Sequence, residues 1–383
     1  MSRQVPRRRT RAEINLDALA RNIALLRRLA GGAGVVLPVK ADGYGHGQIP
    51  VARRAVDEGV ALLAVANAQE LFALRDAGIL HPTLILEDLF PDELPAVTAD
   101  PEVRLNVSSL DYARLCGAAA GSRPVKLHVN LDTGMGRMGL LSEDPVAAVR
   151  EIAALPGVEV EGVFSHFPSA DEEETSFARQ QLEFFREVIE QLTSRGLPIR
   201  YAHLANSAGI MLFGTQAAFD LVRPGVSAYG MFPSREVAER MGNLIHLEPC
   251  LRLVSSLIKV TRYSREWTVG YGRSYNVGPG SLIGVVPIGY GDGYRRGLSN
   301  TGFAVVRGER VPVVGRVSMD MITVDLSELS ETPVVGDEVV LIGSQAWGGR
   351  SAAVTAEELA ERVGTISYEI TCGVTPRVPR VYL

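Results

Sequence analysis

Eight short, almost uninterrupted apolar runs, spaced by helical patterns, restrict this chain more than any other feature. The runs are Val35–Val39, Ala61–Ala66, Thr83–Glu87, Val103–Val107, Val125–Leu131, Val160–Phe164, Ile199–Leu204 and Leu221–Val222. A strand with no polar alternation has no face to offer water. That is the situation of a parallel strand covered on both sides, not of a half-exposed antiparallel one. Between the runs, Val51–Gly59, Ala68–Gly78, Asp111–Ala120 and Phe177–Arg195 place apolar residues at helical spacing, and Gly78 and Gly196-Leu197-Pro198 act as stops. Repeated strand–helix units of this kind predict a (β/α)8 barrel. A doubly wound open sheet is the alternative that periodicity alone leaves standing.

Beyond about residue 245 the pattern changes. Ser255–Arg262, Ser281–Pro287, Gly302–Arg307, Glu309–Val314, Met321–Asp325 and Glu338–Ile342 are short β-branched runs between Gly, Pro and Asp turns. Within this all-β reading one helix is expected over Thr355–Val363, with Thr355 and Glu358 forming a capping box. The expected division is a flexible basic tail over 1–11, a barrel over 12–245 and a mainly β domain over 246–383.

Composition removes several function classes. Hydrophobic residues make up 46% and charged residues 22%, enough for an ordinary core, and the net charge of −5 points to neither nucleic acid nor membrane. The one basic cluster, Arg7-Arg8-Arg9, is followed by Thr10-Arg11-Ala12-Glu13 rather than by the apolar stretch of a signal peptide. No apolar run approaches the roughly 20 residues of a membrane span. Cys116, Cys250 and Cys372 are few and scattered, which fits a reducing cytosol better than a disulfide framework. The six histidines show no i, i+4 ligand pair, so no metal site is read. Gly43–Gly47 and Gly289–Gly293 are glycine-rich, but neither has the spacing of a dinucleotide fingerprint.

Chemistry in such a barrel sits at the C-terminal ends of the strands. Those ends carry Lys40, Asp132–Arg137, Ser165-His166, Asn206-Ser207 and Arg223-Pro224-Gly225. A lysine after a buried strand ordinarily snorkels to the surface. Held instead at a desolvated mouth, it is neutral often enough to attack an aldehyde and form a Schiff base. Phosphate in barrels is commonly bound after strands seven and eight, where Ser207, Gly225 and Val226 offer a hydroxyl and backbone N–H groups. A lysine and a phosphate cradle facing one mouth point to pyridoxal 5'-phosphate (PLP).

The segment Val39-Lys40-Ala41-Asp42-Gly43-Tyr44-Gly45-His46-Gly47 resembles the PLP-attachment motif of alanine racemases. The resemblance runs in order along nearly the whole chain, through Asp132–Arg137, His203–Ser207, Arg223–Gly225, Val269–Gly272, Gly289–Tyr294, Gly315–Asp320 and Tyr368-Glu369. It implies a cytoplasmic isomerase that interconverts L- and D-alanine and supplies D-alanine for peptidoglycan. It also implies a homodimer whose active sites are shared between subunits. Lys40 corresponds to the Schiff-base lysine and one catalytic base, and Tyr271, from the partner's β domain, to the other. Tyr44, Asn206, Ser207, Gly225, Val226 and Tyr368 correspond to cofactor-binding residues around the phosphate. Arg223 corresponds to the partner of the pyridine nitrogen, and His166 to the link between Tyr271 and Arg223. Arg137 and the backbone N–H of Met319 of the partner subunit correspond to ligands of the substrate carboxylate. Tyr290 and Asp320 correspond to residues of the entrance and inner pocket. One position departs from the pattern. Where many members carry a carbamylated lysine that braces the arginine, this chain has Asn130, and the resemblance implies an anion such as chloride in that place.

Racemisation needs a proton removed on one face and returned on the other, and two opposed bases do this without moving. By the same resemblance Tyr271 serves the L isomer and Lys40 the D isomer. A tyrosine, with an ordinary pKa near 10, is a weak base at neutral pH, so a neighbouring cation beyond His166 would help it. An arginine at the pyridine nitrogen is too weak an acid to protonate it. The alternatives are a racemase with broader taste for small amino acids such as serine, and a PLP-dependent decarboxylase of similar architecture. The decarboxylase would want an acidic residue where Arg223 stands.

Overall fold

A computed structural model describes residues 8–383. The chain forms two compact units. One holds residues 19–43 and 48–248; the other holds the described residues up to Ala18, residues 44–47 and residues 249–383.

The first unit is a closed parallel barrel. Its strands follow β1 (Arg11–Ile14) in the chain: β2 (Gly34–Pro38), β3 (Leu62–Val65), β4 (Thr83–Ile85), β5 (Val103–Val107), β6 (Val125–Asn130), β7 (Val158–Phe164), β8 (Tyr201–His203) and β9 (Leu221–Val222). β9 returns to pair with β2, Gly34 opposite Leu221 and Val35 opposite Val222, and this closure excludes the open sheet. Each expected run overlaps one of these strands, with ends displaced by no more than two residues. Helices over Gln48–Asp57, Ala68–Asp76, Leu110–Ala118 and Ser176–Ser194 stand where the periodicity placed them.

The barrel wall is not uniform inside. Register places Val36, Leu62, Ala64, Leu84 and Leu221 together as an apolar cluster on β2, β3, β4 and β9. Arg104 on β5 is in register with Leu84, and Lys126 and His128 on β6 are in register with Arg104 and Asn106. The same wall therefore turns polar from β5 onward.

The second unit is mainly β. Its strands are β10 (Leu251–Ser256), β11 (Lys259–Arg262), β12 (Trp267–Val269), β13 (Tyr275–Val277), β14 (Leu282–Val286), β15 (Phe303–Val306), β16 (Glu309–Val314), β17 (Ile322–Asp325), β18 (Glu338–Trp347), β19 (Arg350–Val354) and β20 (Arg380–Tyr382). They build a ten-stranded sheet in the order β11-β14-β17-β16-β15-β18-β10-β1-β20, with β19 on β18, and a separate β12–β13 ribbon.

Three expectations need correction. The division at residue 12 fails, because β1 pairs with β10 and β20 and so belongs to the β unit. Of the expected tail, residues 1–7 lie outside the described residues, and the rest is held. The Arg8 guanidinium donates to both oxygens of buried Asp292 at 2.6 and 2.9 Å, and β1 starts at Arg11. The capping box is only half made. Thr355 Oγ1 accepts from the Glu358 N–H at 3.1 Å, but the Glu358 carboxylate is taken by Arg310 and Arg362.

Candidate active site

Lys40 follows the last buried residue of the β2 run, and the chain then turns the wrong way for L-residues. Ala41, Asp42, Gly43 and Tyr44 all have φ between 51° and 59°. Left-handed geometry costs about 1–2 kcal/mol for each residue with a Cβ, so something must hold it. Gly43 N–H donates to Val39 O at 3.0 Å. Asp42 Oδ1 accepts from Gln48 N–H at 2.9 Å. The Glu70 carboxylate accepts from Ala41 N–H and from Ala66 N–H, each at 2.7 Å. Sequence reasoning missed Glu70, although an acid in the first turn of the helix after β3 was a usable signal. Glycine is needed at 45, where φ is +83° and a Cβ would stand 2.1 Å from the Thr371 carbonyl oxygen.

Arg223 follows β9 and is only 5% exposed. Its Nη1 donates to His203 Nδ1 at 2.5 Å and to His203 O at 3.0 Å. Its Nη2 donates to Ser165 O at 2.5 Å, to Leu204 O at 3.2 Å and to His166 Nδ1 at 3.2 Å. Nε donates to nothing among the described residues. Burial, with the charge of Arg137 added, pulls the Arg223 pKa down to about 9, so the group stays cationic at neutral pH. Because a guanidinium can only donate, His166 Nδ1 must accept. Burial and the charges of Arg223, Arg137 and Lys40 pull the His166 pKa down to about 3. His166 is therefore neutral, with its single proton on Nε2.

Ser207 caps the other side of this mouth. Its Oγ accepts from Gly225 N–H at 3.0 Å and Ser227 N–H at 3.2 Å, which leaves its own hydrogen to donate elsewhere. Asn206 fixes the helix that Ser207 begins, accepting from Gly209 N–H at 3.0 Å and donating to Phe167 O at 3.2 Å. Val226 follows in a short turn and is fully buried.

Arg137 lies in the loop after β6. Asp132 folds that loop back on itself by accepting from Gly134 and Gly136 N–H groups. Asn130 Nδ2 donates to Met138 O, and Leu140 N–H donates to Asn130 O, so Asn130 clamps both strands of the loop. The Arg137 side chain is exposed and has no hydrogen-bond or ion-pair partner among the described residues.

The remaining expected residues belong to the β unit. Tyr44 and Tyr368 lie with ring centroids 6.0 Å apart. Burial pushes the Tyr44 pKa up, so its hydroxyl keeps its hydrogen and can donate. Tyr290 N–H donates to Ser318 O and Gly291 N–H to Met319 O, which ties the 289–293 and 318–321 loops together. Asp320 accepts from Arg377 at 2.7 Å. Tyr271 sits in a short turn after Gly270, beside Arg316, Ser318 and Met321. Tyr44 and Tyr368 thus lie together, and Tyr271, Tyr290, Met319 and Asp320 lie on turns that contact one another or the 318–321 loop.

Comparison with known proteins places both parts of the chain in one family. Residues 14–233 match the family profile described as the N-terminal domain of alanine racemase, and residues 250–382 match its C-terminal domain. An alanine racemase of Desulforamulus reducens is 40% identical over 97% of this chain and 98% of its own length. One of Syntrophobacter fumaroxidans is 42% identical over 94% of each. Among solved structures, the alanine racemase of Bacillus anthracis superposes with a TM-score of 0.88 at 33% identity, covering 99% of this chain and 96% of the other. That of Streptomyces coelicolor gives 0.84 at 36% identity, covering 98% of each.

Proposed function

This chain belongs to the alanine racemase family, and from that premise we propose how its residues interconvert L- and D-alanine. The cofactor is PLP. The observation that carries the reading is Arg223: a buried cation with every Nη donor engaged and one N–H, on Nε, left to donate. That N–H suits an unprotonated pyridine nitrogen. The Ser207 hydrogen and the Val226 N–H suit a phosphate, Asn206 keeps Ser207 in place, and the family pattern would add Gly225, Tyr44 and Tyr368 as ligands. Lys40 supplies the amine that binds the aldehyde. PLP, when bound, supplies an electron sink that makes the Cα proton of the amino acid removable.

The chain's own residues handle the proton. Lys40 would remove it from D-alanine, and Tyr271 of the partner subunit from L-alanine. His166, neutral and carrying its hydrogen on Nε2, is a donor on that side and can stabilise a phenolate without becoming charged. Behind it, Arg223 supplies the positive charge. Arg137 and the N–H of Met319 of the partner subunit would hold the substrate carboxylate, with Tyr290 and Asp320 along the approach. Dimerisation is supported by the exposure of Tyr271, Met319, Met321 and Trp267, large groups on the β unit that an assembly would cover. A cytoplasmic place is supported by three free cysteines. No helix among the described residues is long and apolar enough to cross a membrane. A role in supplying D-alanine for peptidoglycan follows from the same family.

Decarboxylation is disfavoured because the residue at this position is an arginine and not an acid. PLP-loaded protein given a panel of L-amino acids should racemise alanine fastest and release no CO₂, and borohydride reduction should tag Lys40. Tagging of another lysine, or CO₂ release from any substrate, would overturn the reading.

A further inference from the structure

Four titratable residues inside the barrel have no part in the reaction as described. Arg104, His128, Glu161 and His203 are all buried. They run from Arg223 inward by successive hydrogen bonds, and chemistry fixes the direction of each one. A guanidinium only donates, so His203 Nδ1 accepts from Arg223. A neutral imidazole has a single N–H. His203 must carry it on Nε2, which donates to His128 Nδ1 at 2.8 Å. His128 must then carry its own on Nε2, which faces Glu161 Oε2 at 3.4 Å. Glu161 ends the chain as an acceptor. Arg104 also donates to it from Nε at 2.9 Å and Nη2 at 3.4 Å, with Arg200 and Lys126 at 3.5 and 3.8 Å. A cationic histidine at either position would set N–H against N–H. Burial holds both histidines below the ordinary range, and hydrogen bonds from His128 and Arg104 hold the Glu161 carboxyl down against its own burial.

The barrel wall is cut to fit this chain. A Cβ on Gly162 would stand 2.6–2.8 Å from three atoms of the His128 ring. The β6–β7 register slips between Leu127 and His128, which seats the ring opposite that glycine. Phe164 stacks on His203 with centroids 4.8 Å apart and planes 3° from parallel, and the same ring lies 5.1 Å from the Arg223 guanidinium carbon.

We propose that Glu161 and His128 are positioning residues for racemisation, which through His203 hold Arg223 in the one orientation that aims its Nε–H at the pyridine nitrogen. The proposal rests on the reading of Arg223 given above. Its logic is sequential. The shorter of the two Nη1 bonds, to His203 Nδ1, exists only while that nitrogen is a free acceptor. That requires the His203 proton on Nε2, which requires His128 to accept it, and His128 then needs Glu161 for its own proton. Loss of Glu161 leaves a buried donor unpaired at one end and a loosened guanidinium at the other.

The test uses the full chain with ring-¹⁵N-labelled histidine, with and without PLP. Glu161 and Arg104 are replaced together by Met, because Met at 161 alone would leave the buried Arg104 charge without its acceptor there and risk the fold. Glu161→Gln, which keeps an acceptor for His128, is the conservative control. In the wild type, His128 and His203 should both read as neutral Nε2–H forms from about pH 6 to about pH 8, with or without cofactor. In the double variant both should lose that signature. Its kcat should fall on the order of tenfold with alanine KM changed by less than about twofold, since orientation at the ring is lost and substrate binding is not. The share of turnovers ending in pyruvate should rise, and Glu161→Gln should retain most of the signature and the rate. An Nδ1–H or cationic form at either histidine in the wild type, with racemisation intact, would overturn the relay alone. An unchanged kcat in a double variant that has lost the signature would overturn the positioning role. Correct signatures in a wild type that does not racemise alanine would overturn the functional reading, and this role with it.

Discussion

The two units prepare their chemistry in opposite ways. In the barrel unit, Arg223 and Ser207 are 5% and 3% exposed and nearly every donor is engaged. In the β unit, Tyr271 is 71% exposed and Met319 52%. One set is preorganised by its own core. The other stands on a surface, and its backbone ties fix where the loops are without covering the side chains. An exposed phenol cannot by itself provide the dry setting in which a base is tuned. The difference is between groups fixed by their own core and groups that this chain by itself leaves in solvent.

The sharpest way to break this comparison is to remove one group from each set. Lys40→Ala should lower racemisation by at least about 10⁴-fold, since covalent attachment and one base vanish together. Tyr271→Phe should cost about 10²–10⁴-fold, the worth of one positioned base. If the two halves come from different chains, mixing the two inactive variants under subunit exchange should restore activity to about a quarter of wild type. Random pairing makes about half the dimers mixed, and each has one intact site of two. Activity that stays absent after exchange has been verified by mass spectrometry would mean that both residues serve from the same chain.

Within the barrel set, Arg223→Glu should exchange the donor at Nε for a carboxylate. Racemisation should fall by about 10²–10³-fold, comparable to the loss of a preorganised electrostatic contact. The ratio of pyruvate formed to alanine racemised should rise, because a protonated ring takes up charge more fully. A mutant that folds, loses rate and keeps the wild-type ratio would show Arg223 to be a brace without electronic influence.

The preformed half should also have an acid liability. The His166 pKa in the folded chain is about 3, below its ordinary 6.5, and that of Glu161 is about 2, below its ordinary 4.5. For a group whose folded pKa is depressed, stability is present above the unfolded value and lost as pH falls toward the folded one. The urea midpoint should therefore begin to drop below about pH 6.5 through His166, with His128 and His203 acting in the same direction, and drop further below about 4.5 through Glu161. His166→Gln should flatten the upper part of that curve. An identical curve in the variant would mean that His166 is not held neutral.

The barrel was legible because parallel strands covered on both faces leave an unbroken local signature, and Val35–Val39 or Val103–Val107 could hardly be read otherwise. The mouth residues were legible because the strand order says where polar ends converge. The polar wall was not. Arg104, His128 and Glu161 sit inside runs that read as apolar, and each is satisfied by a partner on another strand, Arg104 and Glu161 being 57 positions apart. β1 was lost for the same reason, since four residues become a strand only by pairing with β10 and β20. The left-handed turn at 41–44 left one trace, Gly43, and no local rule places Ala41 or Asp42 there. The helix Leu16–Leu29, by contrast, carries a readable stripe in Leu19, Ile23 and Leu26.

The smallest expected effect lies between the two sets, on Arg137, which is exposed like Tyr271 although it belongs to the barrel unit. Asn130 clamps the Arg137 loop through Met138 O and its own carbonyl, and it places no negative charge beside the guanidinium. The loop is therefore fixed while the side chain is not. Two devices can complete it: the substrate carboxylate alone, or a small anion such as chloride held near Asn130. If the clamp is what matters, Asn130→Ala should raise alanine KM several-fold, on the order of the roughly 1 kcal/mol of one hydrogen bond, and leave kcat nearly unchanged. If an anion braces Arg137, the rate should rise with chloride at constant ionic strength, and Asn130→Ala should weaken that dependence. Equal rates in chloride and in a bulky, weakly coordinating anion would remove the anion and leave the clamp. An Asn130→Ala enzyme with wild-type KM would remove the clamp as well, and Arg137 would then be ordered by its substrate, as the exposed half of the site is expected to be ordered by its partner.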